Sequence, residues 1–156
     1  MTDCIFCQIV AKTSPAHIVW EDADHLAFLS IFPNTNGVTV VIPKAHHESY
    51  VFAVPDQVMT DLMLAAKKVA RAIDTAFADV GRTGVVFEGF GVNHLHAKLF
   101  PLHGTLPADV WQKRTETRQE FFENYQGYIS SHDSKRADDQ DLAATAALIR
   151  AQMASE

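Results

Sequence analysis

Apolar positions along this chain keep two rhythms, an alternation with period two and a recurrence every three or four residues, and each rhythm occupies its own stretches. Ile18-Val19-Trp20-Glu21 and Leu26-Ala27-Phe28-Leu29-Ser30-Ile31 flank the acidic turn Asp22-Ala23-Asp24, which predicts a β-hairpin with a loop longer than two residues. Pro33-Asn34-Thr35-Asn36-Gly37 is dense in turn formers, and the β-branched run Val38-Thr39-Val40-Val41-Ile42 after it predicts a third strand stopped by Pro43. From Pro55 to Ala78 the rhythm changes. Val58, Leu62, Leu64, Ala65, Val69, Ile73 and Phe77 mark one face of an amphipathic helix begun by Asp56 and ended before Gly81. Thr83–Gly89 predicts a fourth strand and, after the turn at Gly89-Phe90-Gly91, Asn93–Pro101 a fifth. Strands, one long helix and strands again predict an antiparallel α+β fold.

The flanks are less regular. Ile5–Val10 predicts a short helical turn beside Cys4 and carrying Cys7. After Pro101 the apolar residues Val110, Trp111, Phe121 and Phe122 sit among many charges, which predicts a solvent-edge helix across Leu106–Tyr125. Gly127–Ser131 reads as a short strand or extended arm, and Asp139–Met153, rich in Ala and Leu, as a final helix. This last third suits subunit contacts or substrate covering and carries no recognisable chemistry of its own.

Composition narrows the picture. With 156 residues, 47% apolar and 21% charged, the chain suits a single domain with a real core and shows no repeat or low-complexity run. No segment approaches the ~20 apolar residues of a membrane span. The opening Met1-Thr2-Asp3-Cys4 has neither a basic start nor an apolar run, so no secretory leader is expected, and the cytoplasm is the expected compartment. A net charge of −6 argues against sequence-independent binding of nucleic acid. A small phosphate ligand needs only local positive charge, which His94, His96 and Lys98 supply; Lys44 and His103 could add to it but read first as surface groups.

Candidate chemistry concentrates in the fifth strand. There Leu95, Ala97 and Leu99 would enter the core while His94, His96 and Lys98 share the opposite face, about 7 Å apart. A row of nitrogen bases can engage neighbouring groups of a polyphosphate, and an imidazole can attack phosphorus. The plainer reading is an amphipathic strand with a wet polar face, although a solvated strand has no need of two histidines. Cys4 and Cys7 form a C-x-x-C pair open to three readings: a redox disulfide, half of a zinc site, or structural thiols. Only three residues precede Cys4, so the strand of a thioredoxin-like motif has no room. Zinc would need two histidines from among His46, His47 and His94.

Taken in order, Cys4-Ile5-Phe6-Cys7, Trp20-Glu21-Asp22, Leu26-Ala27-Phe28-Leu29, Gly37 before Val40-Val41-Ile42-Pro43-Lys44-Ala45-His46, and His94-Leu95-His96 resemble the landmarks of the histidine triad (HIT) superfamily of nucleotide hydrolases and transferases. The resemblance covers roughly residues 4 to 104. It implies a five-stranded antiparallel sheet with one long helix after the third strand, extra C-terminal helices here, and a habit of forming homodimers around purine nucleotides. Residues 1–105 would be the nucleotide-binding domain and 106–156 a helical extension packed on it. By position His96 falls on the family's nucleophile, which would form a nucleotidyl-histidine, and His94 on the first triad position. The resemblance also implies a structural zinc held by Cys4, Cys7, His46 and His94, with His47 as the substitute for His46. Phe6, Ile9, Ile18, Phe28 and Ile31 match apolar positions lining the family's base pocket, and Phe87 stands where it can be core or a wall beside the sugar.

The departures shape the expected chemistry. Lys98 replaces the third histidine of the triad, and a lysine, with a reference pKa of about 10.4 against about 6.5 for histidine, serves as a point charge better than as a proton shuttle. Ser30 replaces an acidic residue that grips ribose hydroxyls and can make one such hydrogen bond. The loop before the triad, Phe87 to Asn93, is shorter than the family's Gly-Gln-Ser loop, so Asn93 and the amides near Gly91 are the candidate phosphate contacts. The leading expectation is a nucleotide hydrolase or nucleotidyl transferase acting on a phosphoanhydride, phosphoramidate or dinucleoside polyphosphate. The alternatives are a nucleotide-binding regulatory or scaffold protein with little catalysis, and a zinc-stabilised interaction module.

Overall fold

A computed structural model describes residues 4–106 and 135–153, with 111, 113 and 123 as single residues between them. Apart from those single residues and Leu106, the helix expected across Leu106–Tyr125 and the arm expected at Gly127–Ser131 lie outside the described residues. The elements run α1 (Ile5–Val10), β1 (Ile18–Glu21), β2 (His25–Leu29), β3 (Thr39–Pro43), a 3-10 turn at Val51–Ala53, α2 (Asp56–Ala76), β4 (Val80–Val86), β5 (Ala97–His103) and α3 (Asp139–Met153). The strands form one five-stranded sheet in the order β1-β2-β3-β5-β4, antiparallel throughout. The α+β class and the single long helix after the third strand are as the pattern predicts.

Every residue of β2 and β3 is buried because both faces of the sheet are covered. Successive side chains point to opposite faces. Ala27, Leu29, Val41, Ala97 and Leu99 therefore meet Leu62, Ala65, Val69 and Ile73 of α2 and Leu142, Ala146 and Ile149 of α3. On the other face Leu26, Phe28, Val40 and Ile42 meet Phe6 and Ile9 of α1. Truncating a fully buried Leu or Ile typically costs about 2–5 kcal/mol, so the larger core anchors the sheet and the smaller one seats α1.

Helix α2 starts at Asp56 as expected, but Pro55 holds the cap position and no side chain caps it. One position of the predicted stripe fails. Leu64 is exposed, and with Phe52, Met59, Met63 and Phe87 it lines an open apolar cleft of about 520 Å³ instead of the core. Helix α3 has the boundaries read from the sequence. Asp138 accepts the amides of Gln140 and Asp141 at its start, and His17 reaches Asp139 at 2.9 Å. The segment before α3 is tied to β2's exit by the Ala137 amide on the Ile31 carbonyl.

Both strands of the final hairpin are displaced from their predicted spans. β4 begins at Val80 and ends at Val86, and β5 begins at Ala97, so His94 and His96 precede the strand. The ladder explains this. β3 pairs Val41 with Ala97, and continuing that register would bring Pro43, which has no N–H to donate, opposite Leu95. The Leu95 amide bonds the His47 carbonyl instead, and residues 94–96 leave the sheet to pack under the loop after β3.

Candidate functional site

The site grows from this departure. Side-chain alternation persists through residues 94–99, so Leu95, Ala97 and Leu99 join the larger core while His94 and His96 face α1. Neither histidine forms the wet face that an exposed strand would have. His94 is fully buried and His96 keeps 8% of its surface in solvent, so of the two only His96 can be reached by a ligand. The Phe6 ring stands edge-on to both, 5.8 Å from His94 and 5.4 Å from His96, and leans on Phe28 at 5.3 Å.

Two carbonyl oxygens set the tautomers. A carbonyl only accepts, so His94 donates from Nε2 to the Pro43 oxygen at 2.9 Å, and His96 donates from Nδ1 to the His94 oxygen at 2.7 Å. His94 thus presents an Nδ1 lone pair and His96 an Nε2 lone pair. Burial holds both imidazoles below the ordinary histidine range. For His96 the carbonyl of His94 and the Glu88 carboxylate oppose that shift, while the Lys98 charge adds to it. Glu88, unnoticed in the sequence reading, is the one acid between residues 80 and 100, and that isolation was the available signal.

The Nδ1 lone pair of His94 points at sulfur. It lies 3.5 Å from Cys4 Sγ and 3.6 Å from Cys7 Sγ, and His46 Nδ1 lies 3.3 Å from Cys7 Sγ. One donor atom from each of these four residues falls within 4.8 Å of the others. Zn–S bonds of about 2.3 Å and Zn–N bonds of about 2.0 Å at the tetrahedral angle place neighbouring donors roughly 3.5 Å apart, so the cluster fits one tetrahedral ion. The Pro43 carbonyl behind His94 is the outer contact that orients a ligating imidazole. Burial, followed by the adjacent Cys4, pushes the Cys7 thiol up. His47 contributes its backbone to the Leu95 amide and does not join the cluster.

The remaining predicted residues divide. Lys98 points to the α1 face: it is paired in register with Val40 and Val86, and its Nζ lies 5.6 Å from the Phe100 ring centre. Phe28 and Ile9 are buried in the smaller core. Ile9 and Ile18, with Leu26 and Lys44, also line a cleft of about 570 Å³ along α1. Ile31 is exposed, and Ser30 accepts the Phe32 amide at 3.3 Å. Asn93 turns to the loop after β3, where its Oδ1 accepts the Ser49 amide at 3.0 Å. Gly89 lets these loops meet: its φ is +72°, and a Cβ there would stand 2.8 Å from the Ser49 carbonyl oxygen.

Lys44 and His103, read first as surface groups, each pair with an acid outside the cluster. Lys44 is paired with Glu21 at 2.7 Å. His103 is the last residue of β5, between Asp79 and the Asn36 carbonyl, each at 3.0 Å. No helix among the described residues is long and apolar enough to cross a membrane.

A family model for the HIT domain matches residues 11–105. Protein hit of Bacillus subtilis is 38% identical over 106 residues, covering 65% of this chain and 72% of its own length. Adenosine 5'-monophosphoramidase of Saccharomyces cerevisiae is 33% identical over 98 residues, 63% of this chain and 61% of the yeast protein. A zinc-bound histidine triad family protein from Mycobacterium smegmatis shares the fold with a TM-score of 0.69 at 24% identity, over 99% of this chain and 95% of that one. With the model covering more than half of its length, the chain belongs to the HIT domain family.

Proposed function

We propose that this chain cleaves or transfers a nucleoside monophosphate group held in a phosphoanhydride, phosphoramidate or dinucleoside polyphosphate, with His96 as nucleophile. The observation that carries the reading is the 2.7 Å bond from His96 Nδ1 to the His94 carbonyl, which aims an Nε2 lone pair away from the backbone. That nitrogen would attack the α-phosphorus and expel the leaving group with its electron pair, giving a nucleotidyl-imidazolium whose positive charge the His94 carbonyl stabilises. Water then attacks phosphorus, loses a proton to solvent, and returns the N–P electron pair to His96. Lys98 would face the phosphate oxygens. Ile9, Ile18 and Ile31 would bound the purine with Phe6 and Phe28 backing them in the core, Ser30 would face the sugar, and Asn93 the phosphate side. The yeast phosphoramidase among the relatives supports this reaction class.

The test is trapping. Incubated with purine nucleotide substrates and quenched, the parent should yield an acid-labile nucleotidyl adduct, and His96→Ala should lose it together with at least about 10³-fold in turnover. A His96→Ala protein as active as the parent would remove His96 from the role, and binding without turnover across the panel would favour the regulatory alternative.

The same reading assigns zinc to Cys4, Cys7, His46 and His94, where it would cross-link the start of α1 to the two loops that frame His96. Its role there would be structural, since four protein ligands would leave no open position. Element analysis should find one zinc per chain, and chelation should lower the unfolding temperature by several degrees, about 2–4 °C for each kcal/mol lost at this size. Protein loaded in zinc buffer that holds no metal after dialysis would refute it. A reducing compartment such as the cytoplasm suits cysteines kept as thiolate ligands. We further assign a homodimer to the face carrying Phe52, Met63, Leu64 and Phe87 beside the terminal strand β4.

A further inference from the structure

Lys98, on β5, stands two residues beyond His96 and turns to the face built from Phe6, Phe28 and Val40. In register with Val40 on one side and Val86 on the other, it carries its ammonium 5.6 Å from the Phe100 ring centre. Attack at phosphorus develops negative charge on the atom that leaves. A histidine in the Lys98 position would meet that charge with a proton. A lysine side chain, with a reference pKa of about 10.4, meets it with fixed positive charge instead.

Leaving groups differ in which of these they need. A phosphate or polyphosphate departs as a stable oxyanion, since its last ionisation falls near pH 6, and requires no proton. An amine expelled from a phosphoramidate would leave as an amide anion unless a proton reaches nitrogen as the P–N bond breaks. Building on the His96 nucleophile proposed above, we infer that Lys98 makes this chain selective for phosphoanhydride substrates, whose leaving group departs as a phosphate anion against the ammonium, and disfavours phosphoramidates. In the favoured reaction the N–P bond forms at His96, the P–O bond breaks, its electron pair stays on the leaving phosphate, and no proton moves until water attacks.

The experiment compares three purine nucleotide substrates, made in adenosine and guanosine series: a dinucleoside triphosphate, a p-nitrophenyl ester and an alkylamine phosphoramidate. Values of kcat/KM are taken for the parent, Lys98→His and Lys98→Gln, with adduct formation at His96 followed in single turnover. The parent should cleave the triphosphate and the nitrophenyl ester about 10²–10⁴-fold faster than the phosphoramidate, the range a missing general acid accounts for. Lys98→His should raise the phosphoramidate rate at least about tenfold relative to the nitrophenyl ester. Lys98→Gln should leave that gap wide while slowing the triphosphate about tenfold or more against the nitrophenyl ester, through loss of charge. Each readout is a ratio of two substrates on one sample, so partial misfolding of a variant cancels. Equal parent rates on anhydride and amide, or an unchanged ratio in Lys98→His, overturn the selectivity while leaving the nucleophile in place. Absence of a His96 adduct with every substrate overturns the nucleophile itself.

Discussion

Two imidazoles two residues apart are set to opposite tautomers by two backbone oxygens, and that difference separates the proposed metal ligand from the proposed nucleophile. Had His96 bonded a carbonyl through Nε2, its outward nitrogen would be the one nearer the backbone and sterically poor for attack on phosphorus. A third imidazole shows the contrary electrostatic case. Partial burial disfavours charge on His103, but the Asn36 carbonyl and the Asp79 carboxylate together hold it above the ordinary histidine value. A raised native value means that protonated His103 stabilises the fold fully below its unfolded value of about 6.5, and that this contribution is lost as pH rises through the native one. The stability difference between the parent and His103→Asn in urea unfolding should therefore be largest below about pH 6.5 and shrink as pH rises above it. A difference that grows with pH would refute the assignment.

Among the elements, the histidine segment was the one whose alternation was legible and whose conformation was not. Leu95, Ala97 and Leu99 do enter the core, but the strand waits for Ala97 because Pro43 ends the neighbouring ladder. Period-two side chains need no strand hydrogen bonds, and the sequence carries only the former. Leu64 misled for a related reason, since helical spacing alone leaves the edge of an apolar stripe undefined. Where α2 ends, the geometry is tighter than the pattern suggests. Gly37 has φ +86°, and a Cβ there would sit 2.7 Å from the Phe77 ring that closes the helix. Gly37→Ala should lower unfolding free energy by about 2 kcal/mol, from the left-handed backbone and the clash together. A loss below about 0.5 kcal/mol would mean that the turn relaxes freely.

At the scale of the whole molecule, the sheet is covered on one face by α2 and α3 and on the other by α1, and the candidate centre lies where α1 meets the loops of β3 and β5. The other feature at this scale is the apolar surface beside β4, with Phe52 78% and Leu64 58% exposed, which a monomer would leave in water. Light scattering at micromolar concentration should give twice the 17.3 kDa chain mass for the parent and one chain mass for Leu64→Glu. A monomeric parent would remove the homodimer.

By itself the sequence determined the α+β class, both flanking helices α1 and α3, the β1–β2 hairpin, and the residues from which a phosphate-directed site could be built. These follow from side-chain periodicity, turn chemistry and residue type, which are local. Tertiary structure decided which residues work together. It chose His46 over His47, buried His94 and His96, fixed the tautomers of that buried pair, and tied Lys44 to Glu21 and His103 to Asp79. Those outcomes depend on which carbonyl, thiol or carboxylate the packed sheet brings to between 2.7 and 3.5 Å, a distance no spacing along the chain encodes.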